Sequence, residues 1–440
     1  MKSKFILTGF MLIISIQCFA QWELKDTTEF SARQGLPNFF DKINTKQDVK
    51  IGFIGGSITA ANGWRPKIVS WIKEQYSIND LFSYSAAIGG TNSKYGVFRI
   101  DEHLLSKSDF DLIFIEFAVN DGGASSSDVE KSMEGMVRKI WSKNPYTDIC
   151  FIYTVNAASL SDCENGKMNM SATKHDSIAS YYDIPSVLLT PQTFNRIESD
   201  SVVWFDKDYD KTTFLNSSGQ YVFTADNVHP TDFGHEVYKD IIAKCFLKID
   251  TLSGAKEHLL KPILITGNYE NTTMVEAVVK QSKNFDYIDS TGQLSYLDKF
   301  NPIENPYFVS QDTNSTYEFS FIGNEMVLDI LVGPTGGRYI IEVDGVKNEF
   351  ANWDGYCSYY RKQSRFVKLS ETKKHIVKIY PSGQPLTLEE KRNSLNNDSR
   401  KADFDANPEK YDKNELIFSH IFLNGTLSDY STDNTSSRHH

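Results

Sequence analysis

Val49-Lys50-Ile51-Gly52-Phe53-Ile54-Gly55-Gly56-Ser57-Ile58-Thr59 is an apolar run that breaks on two glycines and then presents a serine. A short continuous apolar segment closed by a turn signal reads as a buried strand. The glycines permit a sharp turn off its end, which leaves Ser57 at the tip with its hydroxyl and backbone N–H free. Working outward, the alternation repeats. Residues 65–75 read as a helix, 81–87 as a strand, 112–117 as a continuous buried strand, 128–142 as a helix, 149–155 as a strand and 233–246 as a closing helix. That order predicts an α/β domain, a parallel sheet with helices on both faces.

Beyond Pro262 the helical pattern stops. Residues 316–322, 326–332, 338–343, 366–369, 375–380 and 416–423 are short β-type runs, and 333–337 and Asp344-Gly345 are turn signals of the hairpin kind. A β-sandwich of jelly-roll type is expected. The charged stretch 385–411 reads as a long loop or a short surface helix. At the start, Lys2 and Lys4 precede an apolar run too short to span a bilayer, which closes on Cys18-Phe19-Ala20. This is the pattern of a secretory signal peptide; lipid attachment at Cys18 is disfavoured by the bulky Gln17 before it. The expected organisation is a signal peptide at 1–20, an α/β domain at 21–250, a linker at 251–265, a β-sandwich at 266–428 and a polar tail at 429–440. No later segment is long and apolar enough for a membrane span, so an exported protein, periplasmic or extracellular, is expected without stable membrane insertion.

The 440 residues hold 46 Lys and Arg against 57 Asp and Glu, a formal charge of −11, which argues against nucleic acid or another polyanion as partner. Outside the leader the cysteines are Cys150, Cys163, Cys245 and Cys357, with no CxxC pair, so neither a disulfide framework nor a zinc site is indicated. One bridge, Cys150 to Cys163, and four independent thiols are both compatible with the spacing.

Chemistry concentrates at strand C-termini, the edge of a parallel sheet where ligands bind. The first such place is Ser57. The second is Ala86-Ala87-Ile88-Gly89-Gly90-Thr91, where Gly90 can present its N–H to a developing oxyanion or serve as an ordinary turn residue. The third is Ile115-Glu116-Phe117-Ala118-Val119-Asn120-Asp121, which delivers Asn120 as an amide donor or a plain turn residue. The fourth is Asp226-Asn227-Val228-His229-Pro230-Thr231-Asp232-Phe233-Gly234-His235. An acid three residues before a histidine can fold back onto Nδ1–H, fix the tautomer and leave Nε2 to take a proton from a serine. Asp232 and His235 share the spacing, but Pro230 suits the first turn of the closing helix, which puts that pair on the helix and leaves Asp226 and His229 in the loop. His103, His175, His235, His258, His375 and His420 read as structural.

Together GGSIT, AIGGT, FAVND and DNVHP, in that order, resemble the four blocks of the SGNH or GDSL hydrolase superfamily over roughly residues 48 to 248. The resemblance implies an SGNH-type three-layer α/β/α fold. It also implies Ser57 as nucleophile, His229 as general base, Asp226 as its orienting acid, and an oxyanion hole of the Ser57 and Gly90 N–H groups with the Asn120 side chain. One departure is Gly-Gly-Ser where the superfamily name expects Gly-Asp-Ser. No metal or other cofactor is implied. Exported members with an appended β-sandwich resemble carbohydrate esterases, so the expected partner is an acetylated carbohydrate. The aromatic turn 353–360 offers rings for stacking on sugars or for core packing. Trp64 and Arg65 read either as residues flanking the pocket, Arg65 facing a uronic carboxylate, or as the first turn of a helix. Two other readings stand beside the acetylesterase: a lipid or thioester acylhydrolase, which requires a large apolar pocket or lid, and a catalytically silent glycan-binding protein.

Overall fold

The computed structural model describes residues 30–199, 201–250, 254–276, 281–288 and 306–428. The expected signal peptide and polar tail lie outside the described residues, as do residues 251–253 of the expected linker. The first sheet contains β1 (Phe30–Ser31), β2 (Val49–Gly55), β3 (Leu81–Ser85), β4 (Leu112–Glu116), β5 (Asp148–Tyr153) and β6 (Ser186–Leu188), in the order β1-β6-β5-β4-β2-β3. From β2 to β6 the strands run parallel, and only the edge strand β1 is antiparallel to its neighbour.

Alternation along the strands builds two cores. Ile51, Phe53, Leu112, Phe114, Cys150 and Ile152 pack on one face against α1 (Pro37–Asn44), the helix that includes Trp64, Ile68 and Ile72, and the closing helix with Tyr238, Ile242 and Phe246. Ile54, Ile113, Ile115, Ile149 and Phe151 point the other way, toward Val97, Phe98, Met133, Met136 and Ile178. Successive strand side chains point to opposite faces. A run apolar at every position is therefore covered on both sides, and the result is a three-layer α/β/α domain. The helices in chain order are α1, the single turn α2 (Ser57–Ala60), α3 (Trp64–Tyr76), α4 (Ser93–Ile100), α5 (Ser126–Lys143), α6 (Ala157–Glu164), α7 (Met170–Tyr182), α8 (Thr190–Glu198) and α9 (Asp232–Ile249). A separate parallel pair, β7 (Val202–Phe205) and β8 (Tyr221–Thr224), precedes α9.

The C-terminal region is antiparallel, consistent with a β-sandwich. Its nine strands are β9 (Thr272–Glu276), β10 (Ser282–Lys283), β11 (Asp286–Ile288), β12 (Tyr307–Ser310), β13 (Thr316–Val332), β14 (Arg338–Val343), β15 (Val346–Ala351), β16 (Arg361–Pro381) and β17 (Leu416–Leu427). Several expectations are corrected here. The runs 316–322 and 326–332 are one strand of 17 residues, because Gly323 and Asn324 are absorbed as a register shift rather than a turn. Likewise 366–369 and 375–380 belong to the 21-residue β16. Residues 333–337 do not close a hairpin, since β16 lies between β13 and β14. Their glycines serve close approach instead: a Cβ on Gly336 would sit 1.9 Å from the Asn352 carbonyl oxygen. The stretch 385–411 holds two helices, α10 (Leu388–Ser394) and α11 (Asp398–Ala406), capped by the side chains of Thr387 and Asn397. The four cysteines among the described residues are free thiols, Cys163 partly exposed and the other three buried, so the Cys150–Cys163 bridge is not formed.

The two regions share a core. Met326, Leu328 and Ile330 face the interior of the antiparallel sheet, whereas Val327 on the same strand joins the apolar cluster of the first domain, as does Phe422 from β17. The Phe422 ring meets Tyr95 edge to face at 5.3 Å. Polar groups pair across the same junction: Lys94 with Glu325 at 2.5 Å and Tyr95 Oη with Asp329 at 2.9 Å.

Candidate active site

The turn after β2 is shaped by what surrounds it. A Cβ on Gly55 would lie 2.6 Å from the Glu116 carbonyl oxygen, and one on Gly56 would lie 2.0 Å from Asn120 Oδ1, so neither position holds a side chain without displacing a neighbour. Ser57 then opens the helical turn α2, where the first N–H groups of a helix have no internal acceptor. Below it Thr59 donates to Glu116 Oε2 at 2.6 Å and Thr154 donates to Oε1 at 2.6 Å. Burial raises the Glu116 carboxyl pKa against the opposing pull of these two hydroxyls. Glu116 was read from sequence only as part of its strand. Its signal was there, as the one charged residue in Leu112–Phe117.

Asp226 follows β8 in a tight loop. Its Oδ1 accepts the backbone N–H groups of Val228 at 3.0 Å and His229 at 2.7 Å, and its Oδ2 accepts the His229 Nδ1–H at 2.7 Å. Burial pushes the Asp226 carboxyl up, but the His229 side chain and these backbone donors outweigh it, and its pKa lies below the ordinary value. His229 Nε2 is 2.7 Å from Ser57 Oγ, placed to accept the hydroxyl proton. The structure thus brings together Ser57, His229 and Asp226 from two loops 172 residues apart.

Gly90 and Asn120 lie on the same edge. Ile88 N–H donates to the Gly55 carbonyl at 3.1 Å, which pins the Gly89-Gly90 loop beside α2; a Cβ on Gly89 would be 3.6 Å from Ser57 Cβ. Gly90 itself has φ +77° and open space where a side chain would be. Asn120 begins a 3₁₀ turn after β4 and packs its amide against Gly56, with Oδ1 buried and unpartnered. The next residue, Asp121, accepts the Ser93 N–H at 2.9 Å and pairs with the fully buried His175 at 2.7 Å.

Other expectations are corrected. Trp64 has no exposure and packs edge-on to Phe53 and Phe114, so it cannot flank a pocket. Arg65 turns back to the Thr59, Ala60 and Ala61 carbonyls, bracing the loop between α2 and α3 rather than facing a ligand. Pro230 precedes rather than joins the first turn of α9, whose N-cap is Thr231; Asp232 and His235 lie on that helix, Asp232 paired with Lys67 and His235 buried against Gly63. In the turn 353–360, Trp353 donates to Ser394, and Tyr356 lies within 5.2 Å of the Arg361 guanidinium and 5.0 Å of that of Arg400, so arginines already occupy this ring. Among the described residues no cluster of His, Cys, Asp and Glu is placed to hold a metal ion, and no helix is long and apolar enough to cross a membrane.

Residues 53–237 match the sequence model of the GDSL-like lipase/acylhydrolase family. A comparison with curated proteins finds no significant match. Among solved structures, the two-domain esterase CEX, described as active on acetylated mannans, superposes with a TM-score of 0.66 at 17% identity, covering 90% of this chain and 98% of that one. A second structure of CEX, co-crystallised with mannopentaose, gives 0.64 at 18% identity, covering 89% and 94%. The likeness in fold extends through both domains, and within it the α/β unit at 53–237 is the part that matches the GDSL-like lipase/acylhydrolase family.

Proposed function

We propose that the protein is an exported serine esterase that removes O-acetyl groups from a polysaccharide by two-step acyl transfer. The observation that carries this reading is the unbroken relay from Ser57 Oγ to His229 Nε2 and from His229 Nδ1 to Asp226 Oδ2, each 2.7 Å. Ser57 Oγ attacks the ester carbonyl while His229 takes its proton, and Asp226 stabilises the imidazolium that forms. The tetrahedral oxyanion is received by the N–H groups of Ser57 and Gly90 and the Asn120 amide. His229 returns the proton to the departing sugar hydroxyl, leaving acetyl-Ser57. Water, deprotonated by His229, then releases acetate.

The glycan part of the reading is supported by the likeness to an esterase active on acetylated mannans over most of the chain. The test is acetate release from a panel of acetylated polysaccharides, with 4-nitrophenyl acetate and a long-chain ester alongside, by wild type and Ser57→Ala. Release from a glycan by wild type alone is expected. Preference for the long-chain ester, or turnover surviving in Ser57→Ala, would overturn it.

A further inference from the structure

The loop that holds Asp226 and His229 turns at Asn227, which has φ +69°. This is the left-handed region, where a Cβ crowds the backbone and Asn is tolerated better than most non-glycine residues. Two contacts converge on it. Trp204 Nε1–H donates to Asn227 Oδ1 at 3.1 Å. The Asn227 carbonyl accepts the Ala157 N–H, at the start of α6, at 3.4 Å. The Trp204 indole is itself fixed by stacking on Phe223 at 5.1 Å and 21°, and Phe223 belongs to β8, the strand that feeds the loop. The left-handed turn at 227 is what lets the N–H groups of both Val228 and His229 return to Asp226 Oδ1.

We infer that Trp204 is a positioning residue for the catalytic histidine: its indole N–H holds Asn227 in the left-handed conformation, and through it the Asp226–His229 turn. This rests on the roles proposed for Asp226, His229 and Ser57. Trp204 lies 25 residues before His229, on β7, and its indole N–H is bonded to Asn227 rather than to Asp226, His229 or Ser57. Its effect is therefore on turnover rather than on substrate affinity.

The experiment measures kcat and KM on 4-nitrophenyl acetate for wild type, Trp204→Phe, Asn227→Gly, Asn227→Ala and the double variant Trp204→Phe/Asn227→Gly, with Ser57→Ala and His229→Ala as references. Phenylalanine keeps the stacking on Phe223 and loses only the donor. The expected result is a kcat lower by about three- to tenfold, the rate equivalent of one hydrogen bond, with KM within about twofold. Glycine enters the left-handed region without a Cβ penalty, so the double variant recovers kcat to within about twofold of wild type, whereas Asn227→Ala falls as Trp204→Phe does. The melting temperature should drop alike in Trp204→Phe and in the double variant, which separates positioning from stability. Wild-type kcat in Trp204→Phe, or failure of Asn227→Gly to rescue it, overturns the inference. If Trp204→Phe does not fold, equal kcat for Asn227→Ala and Asn227→Gly overturns it instead. Loss of activity in Ser57→Ala alongside an unaffected Trp204→Phe would refute this inference alone; activity retained in Ser57→Ala would refute the reading beneath it.

Discussion

Gly56→Ala tests the site at one atom. The new Cβ would lie 2.0 Å from Asn120 Oδ1, 2.6 Å from Cγ and 3.0 Å from Nδ2. A comfortable non-bonded separation is about 3.5 Å, so the oxygen must retreat by about 1.5 Å. The backbone does not resist, because Gly56 has φ −86° and ψ −154°, which alanine adopts. The cost therefore falls on the Asn120 amide, which rotates away. An oxyanion donor works at about 2.7–3.1 Å, and a shift of that size removes it, a loss of roughly 10²–10³ in kcat. Ester hydrolysis followed by stopped-flow, with a melting curve to show that the fold survives, measures this directly. Asn120→Ala should lose about as much, and Gly56→Ala/Asn120→Ala should lose no more than either, since both changes remove the same donor. A Gly56→Ala enzyme with kcat within threefold of wild type, or losses that multiply in the double variant, would refute the reasoning.

Further outcomes follow from other contacts. Asp226→Asn should fold normally yet lower kcat by about 10⁴, because an amide can hold the wrong tautomer of His229, and steady-state kinetics checks it. Asp329→Ala should destabilise the protein by about 3–5 kcal/mol in urea unfolding, since it removes the carboxylate 2.7 Å from the buried Lys362 ammonium, which is 1% exposed. Acid should weaken the fold before it reaches the carboxylates. Burial pushes His235 down to about 4 and His103 to about 2. The unfolded chain therefore takes up protons that the folded one refuses, and stability present above about pH 6.5 is lost as pH falls toward 4, with a slope of about 1.4 kcal/mol per pH unit for each histidine. His103→Gln should flatten that slope in denaturation curves between pH 4 and 6.5.

The strands and helices that the sequence made legible were those with an uninterrupted signal. β2, β4 and β5 are apolar at nearly every position because both faces are covered, and α3, α5 and α9 show where helices lie between them. Ser57, Gly90, Asn120, Asp226 and His229 were legible for a different reason: each sits where a periodic segment stops, and a stop occupied by glycine, asparagine or an acid–histidine pair is a small set of chemistries. Trp64 was misread because nearness in sequence to Ser57 says nothing about which face of α3 it occupies, and the face is decided by Phe53 and Phe114. The long strands β13 and β16 were cut because a bulge and a turn use the same residues, Gly and Asn, and only a partner strand distinguishes them. The pair β7–β8 escaped altogether, being short and flanked by the polar stretch 206–220.

α4 shows why some of the rest was beyond reach. All eight of its residues are buried, among them Lys94 and Arg99, so it has no polar face and therefore no stripe to read. Its burial comes from two sides at once. On the first-domain side Ser93 N–H donates to Asp121, next to Asn120, and Arg99 donates to the Ala86 carbonyl, which begins the loop leading to Gly90. On the other side Lys94 pairs with Glu325, and Tyr95 meets Asp329 and Phe422, all from the antiparallel sheet. A lysine among apolar residues would cost several kcal/mol if it had no partner there. Here Lys94 meets two carboxylates, Glu325 of the second domain at 2.5 Å and Asp128 of α5 at 3.6 Å, so the shorter of its two pairings comes from the antiparallel sheet. The loops that carry Gly90 and Asn120, two of the three proposed oxyanion donors, are both tied to this one helix, and the helix is tied to the second domain. The C-terminal sheet therefore stands in the structure as part of what holds the Gly90 and Asn120 loops in place, and a reading of the first domain by itself would leave α4, and the loops it anchors, without the contacts that Glu325, Asp329 and Phe422 supply.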